Sequence, residues 1–406
     1  MFAQRFAALA GLGLAMFGIV AAIKDPSVFL GYVQYSDELK VDDIAWEKFT
    51  HIQLAFAFPQ KDGSIIFNAN KTAKESVKKI HDKGTKVLMS IGGFTESRHF
   101  STIVADEALG DKFIDSAIGL MQDFDLDGVD MDWEFPGRPG CSYNALDKEN
   151  DTKNYQKFMA KMRQKVDDKF PDPRKLITAA VRVESFDGPQ GPEKDLSGFV
   201  PSFDWLLLMA YDVNSGSADV TGPNAPLDFE TGKGKQFSLN TAIGNWTSAG
   251  FPKDKLLAGM PYYCRSNKLT EDADLDITNQ YQPQEKETPL GDPEDKRAFD
   301  ECSNETLASG VWRYKHAREQ GILQEPDKAG NGFQYQFQTA TTTVTLLNNE
   351  SRIIMSCDTP KSLRAKSAFA KEAGLLGVGI WSLDMDPNNE LTDAINQGWD
   401  EGKKPK

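Results

Sequence analysis

Eight short apolar runs punctuate this chain, and their spacing constrains its fold more than any other feature. They cover residues 28–35, 51–58, 86–93, 128–134, 176–183, 205–212, 256–263 and 377–384. Runs such as ITAAVRV, WLLLMAYD and GVGIWSLD are apolar on both faces, as strands covered by helices must be. Helical patterns lie between them. Residues 153–170 put Tyr155, Phe158, Met159, Met162 and Val166 on one stripe, and 111–124 do the same with Phe113, Ala117, Leu120, Met121 and Phe124. Gly84, Gly250 and Gly374 stand where such helices end. The alternation predicts an α/β fold, a parallel (β/α)8 TIM barrel rather than an open doubly wound sheet. No glycine-rich phosphate fingerprint follows the first run. Ser90-Ile91-Gly92-Gly93, after the third, lacks both the Lys of a phosphate loop and the third Gly of a dinucleotide loop.

One gap breaks the rhythm. More than a hundred residues separate Tyr263 from Gly377, where a barrel needs only a loop and a helix. The stretch 267–304 is polar; then Phe333, Tyr335 and Phe337 alternate with glutamines, and 341–347 and 352–355 are further β-prone runs. This predicts a small α+β insertion over 266–355 between strands seven and eight, the barrel comprising 23–265 and 356–400, with 362–373 as its last helix before strand eight.

Residues 1–22 carry Arg5, an apolar run and small residues at Ala21 and Ala22, the layout of a secretory signal peptide. Sequons at Asn70, Asn150, Asn245, Asn304 and Asn349 suit an exported glycoprotein. Cys141, Cys264, Cys302 and Cys357 allow three full pairings, among which the sequence does not choose; Cys302 with Cys357 is favoured because both fall near the insertion. The net charge of −14 argues against nucleic acid and anionic membranes as partners and is compatible with a neutral substrate. The four histidines form no ligand cluster, so neither a metal nor another cofactor is expected. A monomer is expected.

In the fourth run, Asp127-Gly128-Val129-Asp130-Met131-Asp132-Trp133-Glu134, strand alternation puts Asp130, Asp132 and Glu134 on one face and Val129, Met131 and Trp133 on the other. Three carboxylates in a low-dielectric interior repel unless protons are shared and neighbours donate hydrogen bonds. That arrangement suits acid/base chemistry. A calcium loop would need flanking helices and a Glu at its twelfth position. Asp127 has the opposite parity, which favours a structural role. In a barrel, chemistry gathers where strands end, and Glu134, Tyr211, Asp212, Tyr263 and Trp381 all fall at such ends.

These motifs together resemble glycoside hydrolase family 18, the chitinases and their relatives. Asp127 to Glu134 matches the D-G-x-D-x-D-x-E signature, Ser90-x-Gly92-Gly93 the third-strand motif, Met209-Ala210-Tyr211-Asp212 the sixth-strand motif and Trp381 the eighth-strand tryptophan. Gly259-Met260-Pro261-Tyr262-Tyr263-Cys264-Arg265 is similar to the seventh-strand motif, with Cys264 where Gly is usual, and 31–36 lack the Trp many members carry after strand one. The leader, the sequons and the run starting at Phe186 look most like fungal secreted members. The resemblance implies a secreted chitinase cleaving β-1,4 links between N-acetylglucosamine units by a retaining, substrate-assisted route. Glu134 would be general acid, Asp132 and Asp130 its supporting carboxylates, and Tyr211 the residue that holds the substrate's acetamido oxygen. Trp381, Asp212, Met209, Tyr263, Arg265, Tyr32 and Phe56 would bind substrate, with Asp127, Ser90, Gly92 and Gly93 as structural parts of the motifs. An endo-β-N-acetylglucosaminidase acting on N-glycans and a non-catalytic chitin-binding lectin are the alternatives. Because Glu134 must start protonated, activity is expected to be best at mildly acidic pH.

Overall fold

A computed structural model of the chain describes residues 27–403, apart from 37–41, 43, 69–71, 215–217 and 387. The leader and the Asn70 sequon lie outside the described residues. Eight parallel strands, Val28–Gln34, His51–Pro59, Lys86–Gly92, Gly128–Asp132, Leu176–Val181, Trp205–Leu208, Leu256–Pro261 and Gly377–Trp381, pair in order, and the eighth closes on the first. The fold is the expected (β/α)8 barrel. Alternation along each strand divides the core in two. Val87, Met89, Val129, Met131 and Ile177 face outward beneath the helices, while Leu30, Tyr32, Trp205, Leu207 and Leu257 fill the barrel's interior.

The helices keep the expected stripes but start earlier. Glu107–Asp123 is capped by Asp106, whose side chain accepts from Leu109 N at 3.0 Å, and Asp151–Lys169 begins two residues before the expected start at Lys153. The polar first turn of Glu107–Asp123 is set by its cap, which a hydrophobic pattern does not register. The helix before strand eight spans Pro360–Glu372. A further helix, Glu390–Glu401, escaped the sequence reading; it buries Leu391, Ile395 and Trp399, with Trp399 Nε1 donating to Ser27 Oγ at 2.9 Å.

Two strands stop short of their apolar runs, and both stop at the mouth. Strand six ends at Leu208, after which Ala210 N turns back to Leu208 O at 2.8 Å and Asp212 adopts a left-handed φ of 56°. Strand four ends at Asp132, two residues before Glu134.

Between strands seven and eight the chain builds a five-stranded antiparallel sheet in the order Val311–Arg313, Tyr263–Lys268, Ile353–Cys357, Thr343–Asn348, Gln334–Gln338, with the helix Tyr314–Glu319. A small hairpin, Ala298–Asp300 with Glu305–Leu307, projects from it. The favoured cysteine pairing is corrected here. Cys264 is bonded to Cys357, and Cys302 to Cys141. Arg265 pairs with Ser356 across neighbouring antiparallel strands, which sets Cys264 opposite Cys357 with Cα atoms 4.2 Å apart. Cys302 instead occupies the hairpin turn, which reaches the loop after strand four. Proximity in sequence to the insertion did not encode strand register.

Candidate active site

The site is built on the acidic ladder. Asp130 lies deepest, fully buried, and three hydroxyls converge on it: Tyr32 OH at 2.9 Å and Ser90 Oγ at 2.8 Å on Oδ2, and Thr178 Oγ1 at 2.6 Å on Oδ1. Parallel register brings them there, since Ser90 and Thr178 are the neighbours of Asp130 on the adjoining strands. Gln53 Nε2 donates in turn to Thr178 Oγ1 at 2.9 Å. Burial pushes the Asp130 carboxyl above the usual carboxylate range, against the pull of these donors.

Asp132, one step nearer the mouth, lacks such a set. Among the described residues its buried Oδ1 has no hydrogen-bond partner. Burial first, then the charges of Glu134 and Asp130, push its carboxyl well up. Two crowded carboxyls that cannot both ionise hold a proton between them.

Glu134 stands just past the strand end, where its backbone is pinned by Ser97 Oγ, which accepts from Glu134 N at 2.8 Å, and by Asn144 Nδ2, which donates to Glu134 O at 3.2 Å. Burial, reinforced by the neighbouring charge of Asp212 and opposed by Arg182, pushes its carboxyl up to about 8. At neutral pH it is therefore an acid with a proton to give.

These groups open into a cleft of about 790 Å³ at the C-terminal mouth of the barrel. Trp381 stacks on Phe56 with ring centres 5.6 Å apart and lies 5.6 Å from Tyr32, making an aromatic floor. Tyr211 meets Tyr263 edge to face at 6.4 Å. Arg265 Nε donates to Asp212 Oδ1 at 2.8 Å, and its guanidinium lies over the Tyr263 ring. Gly92 and Gly93 have φ of 112° and 93°; a Cβ on Gly92 would meet Asp132 O at 2.3 Å, so no larger residue lets strand three lie this close to the ladder. An aromatic floor beneath a protonated carboxyl and its carboxylate support suits stacking a sugar ring and protonating a glycosidic oxygen.

Residues 28–386 match the family model described as Glycosyl hydrolases family 18. The chain belongs to that family. A "chitinase-like effector" of Moniliophthora roreri is 30% identical over 375 residues, covering 89% of this chain and 90% of the relative. Mouse "Chitotriosidase-1" is 28% identical over 344 residues, 83% of this chain and 67% of that one. The crystal structure of a chitinase from Rhizomucor miehei superposes with a TM-score of 0.83 at 30% identity, over 92% of this chain and all of the other.

In this family 18 enzyme the cleft gathers Glu134, Asp132, Tyr211, Asp212, Met209, Tyr263, Arg265, Tyr32, Phe56, Gly93 and Trp381. Asp130, Ser90 and Gly92 lie beneath it. Asp127 is at the other end of strand four, where its Oδ2 accepts from Val87 N at 2.8 Å and lies 2.9 Å from His81 Nε2. No group of three metal-ligating side chains occurs among the described residues. Sequence reasoning missed Ser97, Asn144 and Arg182. They act from loops and a strand end, with no periodicity to mark them; Arg182 carries its charge next to Glu134 only because strand five stops at Val181.

Proposed function

We propose that the protein is a secreted chitinase that hydrolyses β-1,4 links between N-acetylglucosamine units with retention, using the substrate's own acetamido group as nucleophile. The observation that carries this reading is the placement of Glu134 at the cleft wall, one ladder step above Asp132, whose buried Oδ1 has no partner among the described residues. Glu134 gives its proton to the glycosidic oxygen as the bond to the anomeric carbon breaks. The acetamido carbonyl oxygen attacks that carbon from the other side, giving an oxazolinium ion. Asp132 accepts a hydrogen bond from the acetamido N–H through its free oxygen and stabilises the charge that develops there. Asp130 shares a proton with it from below, and Tyr211 holds the acetamido oxygen in line. Water, deprotonated by the ionised Glu134, opens the ring and restores the acid. Trp381 is the platform under the reacting sugar. Relatives called chitinases and Chitotriosidase-1 support chitin as the polymer. The leader-like residues 1–22 support export.

Glu134→Gln tests the assignment. Hydrolysis of N-acetylglucosamine oligomers should fall by at least about 100-fold, the scale of general acid catalysis, while oligomer affinity stays near wild type by calorimetry. Near-normal turnover in the variant would defeat the acid assignment. A wild-type protein that binds oligomers without cleaving them would instead be a lectin.

A further inference from the structure

The hairpin Ala298–Asp300 with Glu305–Leu307 belongs to the excursion after barrel strand seven, yet its turn is fastened on the far side of the mouth. Cys302 in that turn is bonded to Cys141, in the loop after strand four. Beside it Glu301 pairs with Arg98 at 3.1 Å, in the loop after strand three. Arg98 lies 3.8 Å over the ring of Tyr143, whose hydroxyl donates to Thr95 O at 2.8 Å. In the closed barrel, strands three and seven face each other with three strands between them in either direction. A segment rooted at strand seven and anchored to the loops of strands three and four has to span the mouth.

Its pleat shows which side faces the site. Ala298 pairs with Leu307 and Asp300 with Glu305, so Asp300 and Leu307 share one face, and both line the cleft along with Phe94, Thr95 and Glu134. Phe299 points the other way and is 62% exposed. The hairpin has an underside on the site and an upper side in solvent.

We propose that this hairpin is a bar across the substrate cleft, latched by Cys141–Cys302, which makes the enzyme select a free single sugar chain over a chain lying in a packed polymer surface. The proposal rests on the chitinase reading. A chain beneath a bar must enter by an end, which a short soluble oligomer does readily. A chain held in a crystalline face must first be lifted out of it. The latch is the covalent bond. Two three-residue strands are marginal alone. The Arg98–Glu301 pair has side chains 45% and 66% exposed, a setting in which ion pairs hold little.

The test compares turnover of a soluble N-acetylglucosamine hexamer with turnover of insoluble chitin powder. Two opened forms are used: the C141S/C302S double variant, and wild-type protein mildly reduced and alkylated. Peptide mapping checks that Cys264–Cys357, whose cysteines are both 1% exposed, stays intact. The alkylated wild type carries the test if the variant fails to fold. The ratio of powder to hexamer turnover should rise several-fold in the opened protein. An unchanged ratio, or loss of hexamer turnover on opening, overturns the bar while leaving the chitinase reading standing. A wild type inert on both substrates overturns that reading and the bar with it.

Discussion

Three influences set the Glu134 carboxyl, and two of them, the charges of Asp212 and Arg182, can be changed singly. Burial raises its carboxyl most, the negative charge of Asp212 adds to the rise, and the Arg182 guanidinium opposes it. In its proposed role as general acid it works while protonated, so kcat/KM should hold through mildly acidic and neutral pH and fall on the alkaline side as Glu134 ionises. Asp212→Asn removes a like charge and leaves Arg265 without its carboxylate, so the alkaline limb should move to lower pH. Arg182→Met should move it to higher pH. Profiles measured on a soluble oligomer check both shifts; limbs that coincide with wild type would show that neither charge reaches Glu134. Ser97 acts differently, through the backbone, since it accepts from Glu134 N and donates to Gly93 O at 2.9 Å, which ties the acid to the end of strand three. Neither Ser97 nor Arg182 could be picked out in the sequence, because residues just beyond strand ends acquire their roles from where the barrel brings them.

At the scale of elements, the fourth strand is used at both ends for different purposes. Its upper end carries the acids; its lower end is tied by Asp127 to Val87 N and His81. Burial alone would raise Asp127, but the His81 and Val87 hydrogen bonds outweigh it and hold the carboxyl below its ordinary value, while the same contact with Asp127 raises His81. The carboxylate contributes stability above its unfolded pKa, near 4, and loses it as pH falls through the lower folded value. The imidazolium contributes below about 6.5 and loses it as pH rises through the higher folded value. Asp127→Ala should therefore cost about 1–3 kcal/mol, most at about pH 5 and less at about pH 9, with kcat unchanged at the far end of the strand. Denaturant titrations at the two pH values measure it; an equal loss at both would mean that the ion pair contributes nothing beyond the Val87 hydrogen bond. The parity argument that separated Asp127 from the ladder was available from the sequence, as were all eight strands, because two-sided burial writes itself into composition. Strand ends were less legible. Strand six loses its last four expected residues to the turn that aims Tyr211 and Asp212, and a reversal of φ at Asp212 has no signature in a run of apolar residues.

For the molecule as a whole, the two disulfides have different consequences although both join segments far apart in the chain. Cys141–Cys302 joins a projecting hairpin to the loop after strand four, outside the pairing of both barrel and insertion sheet. Cys264–Cys357 closes the base of the insertion, where the chain leaves the barrel after strand seven and returns just before the helix Pro360–Glu372. The strand Tyr263–Lys268 continues almost directly from the seventh barrel strand, with Tyr262 N bonded to Trp381 O at 2.8 Å and Tyr314 N to Tyr262 O at 2.9 Å. The same few residues thus carry barrel and insertion pairing together, and the two should unfold as one unit. Replacing both Cys264 and Cys357 by Ala should cost about 2–4 kcal/mol. It should lower one shared transition rather than split it. Tryptophan fluorescence and far-ultraviolet circular dichroism, followed through the same denaturant series, give the check, since Trp312 reports from the insertion sheet and Trp246 and Trp399 from the barrel. Two separated transitions in the wild type would show the insertion to be an independent body, and the bond at its base would then tether it without stabilising the floor that Trp381 provides.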